Sequence, residues 1–70
     1  MQDHLTVQVN GEQKVVPLAT TVSGLLSILA VRPERVAVEV NRQIVRKVDW
    51  SRVPLHEGDR VEVVQFVGGG

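Results

Sequence analysis

This sequence contains a single apolar helical stripe. Val22, Leu25, Leu26 and Leu29 fall at i, i+3, i+4 and i+7, and Thr20 and Thr21 stand just ahead of them as N-cap oxygens. Every other patterned stretch has a period of two. One amphipathic helix must lie across one face of one sheet, so the chain is expected to fold as an α+β roll. Gly24 inside the helix costs about 1 kcal/mol against alanine, which makes the helix dependent on tertiary packing. Pro33 is expected to end it, with Arg32 biased out of the helical region.

The strands come in hairpins. His4-Leu5-Thr6-Val7-Gln8-Val9 alternates, with Leu5, Val7 and Val9 on one face, and Asn10-Gly11 is a strong hairpin signal. Lys14-Val15-Val16-Pro17-Leu18 reads as the returning strand, with Pro17 at a sheet edge or end, where a missing N–H is tolerated. Val36-Ala37-Val38-Glu39-Val40-Asn41 alternates again. Asn41-Arg42-Gln43 is expected to be a tight turn, and Ile44-Val45 a short strand or bridge. Arg46 to Leu55 has no clear period, and Trp50 within it is read as a lid on the core in preference to a ligand platform. His56-Glu57-Gly58-Asp59 turns into the last strand. A right-handed crossover after the first hairpin would bring a later strand back beside the first. The predicted architecture is the β-grasp, or ubiquitin-like, roll: a mixed sheet of four or five strands with one main helix across one face. Residues 1–67 are assigned to this domain and residues 68–70 to a flexible glycine tail.

Seventy residues allow one small domain with a modest core. Eight basic residues balance eight acidic ones, so no net field draws in nucleic acid or an anionic membrane, and neither is expected as a partner. Cysteine is absent, which excludes a disulfide framework, a thiolate metal site and a cysteine nucleophile. His4 and His56 lack a ligand set at metal spacing, so no metal is expected. No signal pattern and no apolar run near the roughly 20 residues needed to span a bilayer is visible, and a cytoplasmic location is expected. No nucleophile, base and orienting group stand at useful spacing, so the chain reads as a non-enzyme with no cofactor of its own.

The last strand, Arg60-Val61-Glu62-Val63-Val64-Gln65-Phe66-Val67, empties into Gly68, Gly69 and Gly70. A frayed terminus is one reading of those glycines. The other is chemical. Three residues without side chains make a thin, conformationally free peptide that can enter a narrow channel and present a terminal carboxylate to another protein. A carboxylate becomes an electrophile only when its oxygen is made a leaving group, which points to an ATP-using partner. If Val61 and Val63 face the helix, then Glu62, Val64 and Phe66 face the other way. Val64 and Phe66 then either dock a partner beside the tail or pack under a neighbouring loop. Arg42, Arg46, Lys47 and Arg52 form a basic run that reads as a solvated face or as a steering surface for an acidic partner.

Asn41-Arg42-Gln43-Ile44-Val45, Trp50, Gly58-Asp59-Arg60-Val61-Glu62 and the closing Phe66-Val67-Gly68-Gly69-Gly70 resemble the ThiS sulfur carriers of thiamine biosynthesis, over nearly the whole chain. The resemblance implies a cycle. A ThiF-like adenylating enzyme would use ATP to convert the Gly70 carboxylate to an acyl-adenylate. A persulfide donor would then supply sulfur for a thiocarboxylate. A ThiG-like thiazole synthase would take that sulfur for the thiazole of thiamine. The chain, a monomer when free, would be a co-substrate of its partners. Alternatives on the same fold are the small subunit of molybdopterin synthase, a ubiquitin-like protein modifier and a plain binding module.

Overall fold

The computed structural model describes residues 3–66, and the expectations for Val67, Gly68, Gly69 and Gly70 lie outside them. The first strand, β1, spans His4–Val9 and points Leu5, Val7 and Val9 into the core, as the alternation requires. Asn10 and Gly11 both take positive φ, 50° and 85°, the signature of a type I′ turn. Such a turn resumes pairing at once. The second strand, β2, therefore runs Glu12–Pro17, two residues earlier than the Lys14 start expected from its apolar run, with Val9 opposite Glu12 and His4 opposite Pro17. It is an edge strand, as Pro17 implied.

Helix α1 occupies Val22–Leu29 and buries Val22, Leu25 and Leu26, with Leu29 packed at the core margin. Its four leading N–H groups are all satisfied. Those of Gly24 and Leu25 donate to Thr21 Oγ1 and the Thr21 carbonyl, at 3.1 and 2.9 Å. Those of Val22 and Ser23 reach out of the helix to the carbonyls of Val53 and Trp50, each at 3.0 Å. The helix stops before Pro33 because Ala30 turns left-handed at φ 58°. The Ala30 N–H donates to Ser27 O at 3.1 Å and the Val31 N–H to Leu26 O at 3.3 Å, a paired closure in which glycine is the usual hinge. Pro33 instead opens a 3₁₀ turn, Pro33–Arg35, after an extended Arg32.

Strand β3, Val36–Val40, then meets a two-residue turn at Asn41 and Arg42, again with both φ positive at 52° and 70°. Gln43 is not part of that turn but starts β4, Gln43–Ile44. A 3₁₀ turn at Lys47–Asp49 leads to Trp50, which is buried and donates its Nε1–H to the Val45 carbonyl at 2.8 Å. Trp50 is thus the lid expected of it. Residues 53–55 are laced to the helix entrance by the Val22 bond to Val53, a Thr21–Pro54 bridge and the Leu55 N–H on Thr20 O at 2.9 Å.

The last strand, β5, covers Arg60–Gln65 and completes the order β2-β1-β5-β3-β4. It runs parallel to β1 and antiparallel to β3. The strand that returns beside β1 is therefore β5, with β3 on its outer side. One helix on a five-stranded mixed sheet is the β-grasp roll.

Ala30 generates a clear expectation. A left-handed alanine is strained by about 1–2 kcal/mol, part of which glycine would return as unfolded-state entropy. Ala30→Gly is expected to stabilise the fold by roughly 0.5–1 kcal/mol, or about 3–6 °C in Tm. Thermal unfolding that gives an unchanged or lower Tm would contradict this.

Candidate functional site

The candidate site is the final strand and the face it turns outward. Parity sorts its side chains as expected: Val61 and Val63 are buried against the helix side, and Glu62 and Val64 are exposed. Val64 is 53% and Phe66 59% accessible, so neither is packed under a loop. Val64 lies opposite Ala37 in the register with β3, which extends the small apolar area sideways. The Phe66 N–H donates to the Arg35 carbonyl at 2.8 Å and ties the last described residue to the turn before β3. The ladder thus reaches up to the point where residues 67–70, outside the described set, begin.

Two asparagines fix this strand from either side, and sequence reading gave them no role beyond turn formation. Asn10 donates its backbone N–H to the Val61 carbonyl at 2.9 Å. Its side-chain amide then straddles Val63, with Oδ1 accepting from the Val63 N–H at 2.8 Å and Nδ2 donating to the Val63 carbonyl at 3.2 Å. The register of β1 on β5 ends at Val9 and Val61. The Asn10 amide therefore supplies one further rung of the ladder after β1 has turned away. Asn41 does the same at the start of β5: its N–H donates to Arg60 O at 2.7 Å and its Oδ1 accepts the Arg60 N–H at 3.0 Å. Its Nδ2 also donates to Asp59 Oδ1 at 3.0 Å. The available signal was that both asparagines open type I′ turns; what pattern reading missed is that both turns abut the same strand.

The residues of the basic run are all exposed, as a solvated face requires, and three of them have separate neighbours. Arg52 pairs with Asp49, Lys47 lies over the Trp50 ring with Nζ 5.6 Å from its centre, and Arg42 is carried by the β3–β4 turn to the end of the sheet beside Arg60. His56 Nδ1 stands 3.9 Å from Asp59. Among the described residues, no group of three His, Cys, Asp or Glu side chains is arranged to hold a metal ion, and no helix is long and apolar enough to cross a membrane.

Fold and exposed strand end together define a small β-grasp protein of the ubiquitin-like type. Residues 5–70 match the ThiS family. The sulfur carrier protein ThiS of Bacillus subtilis is 38% identical over 50 residues, covering 71% of this chain and 76% of that one. The crystal structure of the thiamine biosynthesis protein ThiS from Geobacter metallireducens superposes with a TM-score of 0.81 at 33% identity, covering 94% of this chain and 100% of that chain. A thiazole synthase of Magnetococcus marinus is 42% identical over 66 residues, 94% of this chain but 20% of its own length. The chain spans about a fifth of the thiazole synthases it matches, 20% of one and 19% of another. The chain belongs to the ThiS family of sulfur carriers.

The Asn10 clamp is tested by Asn10→Gly, which keeps a residue at ease in the left-handed turn and deletes only the amide. Two hydrogen bonds to a partly buried backbone are lost, for a cost of about 2 kcal/mol. Urea unfolding should show that loss, and hydrogen exchange should show it concentrated at the Val63 amide. A variant as stable as the parent, with Val63 equally protected, would remove the clamp.

Proposed function

We propose that this domain carries sulfur on the carboxyl group of Gly70 for thiazole formation in thiamine biosynthesis. A ThiF-like enzyme activates it: a Gly70 carboxylate oxygen attacks the α-phosphorus of ATP, pyrophosphate leaves, and the acyl carbon becomes bonded to AMP. The outer sulfur of a persulfide donor then displaces AMP to give an acyl disulfide. A second thiol takes the donor's sulfur into a disulfide and releases the thiocarboxylate on Gly70. That group is an anionic sulfur nucleophile at neutral pH, and a ThiG-like thiazole synthase consumes it. The chain acts as a co-substrate, with ATP bound by its partner and no cofactor of its own.

The observation that carries this reading is the match of nearly the whole chain, glycines included, to a sulfur-carrier family. The Magnetococcus marinus thiazole synthase supports the choice of acceptor, because a stretch resembling this domain lies within a protein of that name. Val64 and Phe66 support the docking part of the reading: an exposed aromatic and a β-branched neighbour at the strand end suit the buried centre of a modest interface. Gly68 and Gly69 serve as the thin lead that lets Gly70 enter an active site.

Intact mass of the protein from its native host should include a species heavier by about 16 mass units, oxygen replaced by sulfur. Deleting Gly70, or making Gly70→Trp, should abolish ATP-dependent pyrophosphate release with the adenylating enzyme and leave Tm unchanged. Adenylation at the parent rate would refute the assignment of Gly70. Phe66→Ala should weaken binding to that enzyme by about 1–2 kcal/mol, a factor of roughly 5–30, with little change in Tm.

A further inference from the structure

Arg42 stands where this same chain elsewhere uses glycine. The two type I′ turns are matched, Asn10 and Gly11 at φ 50° and 85°, Asn41 and Arg42 at φ 52° and 70°. Glycine takes the second position without strain and arginine does not. The Asn41 hydrogen bonds hold the turn, but among the described residues the Arg42 side chain itself makes no hydrogen bond or ion pair in return for that strain. Arg42 is exposed, and the ion pairs among the described residues are Arg52 with Asp49 and His56 with Asp59, so neither Arg42 nor Arg60 takes part in one. The two arginines instead line one open cleft of about 280 Å³, bordered by Gln8, Gly11, Val61 and Glu62. Strain kept under a long charged side chain that has no partner on its own domain motivates a search for that partner on another molecule.

We propose that the Arg42–Arg60 cleft receives a carboxylate side chain of the adenylating enzyme, as the second of two contacts along β5. This rests on the docking role given above to Val64 and Phe66. Arg60 is an exposed, even-numbered residue of β5, on the same face as Glu62 and Val64 and in line with Phe66. From Arg60 to Phe66 the strand spans about 20 Å, within the reach of a standard protein interface. Both guanidinium groups are exposed, as suits a rim contact to a protein carboxylate, where planar forks pair with carboxylate oxygens. An apolar contact at one end of the strand and a charged one at the other engage the partner in a single direction. The strand's end is then aimed at the active site at the moment of docking, and opposite charge speeds the encounter.

The test titrates the intact chain into the ThiF-like adenylating enzyme of its own organism at low and high salt, using the parent, Arg42→Gly, Arg60→Gln and Phe66→Ala. Arg42→Gly is expected to melt no lower than the parent, because turn strain is relieved, yet to bind about fivefold more weakly at low salt with a shallower salt dependence. Arg60→Gln should lose affinity similarly. Parent-like affinity and salt dependence in Arg42→Gly, alongside weakened binding by Phe66→Ala, would overturn this contact and leave the docking face standing. Parent-like binding by all three variants would remove both. Inorganic phosphate that binds the free chain, loses that binding in Arg42→Gly and leaves partner affinity untouched would make the cleft a small-anion site, and the proposal would fall.

Discussion

The pairing of β5 on both edges is the constraint on which the rest of the fold hangs. It comes last in sequence among the described strands, yet it occupies the centre of the sheet, between β1 and β3. Its β1 edge is served by few direct rungs, since the parallel register covers only Arg60 and Val61 opposite Gln8 and Val9. Without another partner the Val63 N–H and carbonyl would face the space vacated by the first hairpin, at a cost comparable to losing two hydrogen bonds. The Asn10 amide fills that space because its N–H and C=O copy a peptide group, and because its backbone already sits left-handed with β5 in reach. Asn41 repeats the solution at the other end. The strand is thereby locked by side chains from both of the turns that precede it in sequence.

The loop between β4 and β5 is held by the complementary device. Helix α1 is only eight residues long and contains a glycine, so its own propensity is weak. Its first two N–H groups are not left to solvent but donate to Trp50 and Val53, and the same stretch buries the Trp50 ring and Leu55 against the sheet. Helix entrance and loop stabilise each other: the loop caps the helix, and the helix orders a segment that has no period of its own. Lys47 over the indole ring closes the outside of this arrangement with a modest cation–π contact.

What the sequence made legible follows from periodicity, and what it hid follows from distance along the chain. The start of α1, the bounds of β1, the edge position of Pro17, the burial of Trp50 and the outward facing of Val64 and Phe66 were all readable, since each is decided by local alternation, local spacing or a single ring. The early start of β2 was missed because Glu12 and Gln13 are polar; the turn geometry, not hydrophobicity, places them in the strand. The helix end was missed because Pro33 is a louder signal than Ala30, although an alanine can be forced left-handed when Val31 has a core margin to cover. The clamps of Asn10 and Asn41 join residues 53 and 19 positions apart, and no sequence window contains both ends. The basic run is a solvated face whose members take separate contacts, Arg52 with Asp49, Lys47 over Trp50 and Arg42 beside Arg60, and composition alone could not assign them.

The alternation of β5 also separates the side chains that carry stability from those left on the surface. Val61 and Val63 carry the packing, and the backbone of the strand carries the clamps, so folding is written into the odd positions and the main chain. Arg60, Glu62 and Val64 contribute side chains mainly to the outer face, and Phe66 continues them. Glu62 even faces Glu39 across the β5–β3 register, a like-charge pair that a surface shaped for stability alone would avoid. Substitutions on that face leave the core undisturbed, because they touch neither the helix nor the ladder. A small domain with little stability to spare can in this way vary its outer side chains and still hold β5 at the centre of its sheet.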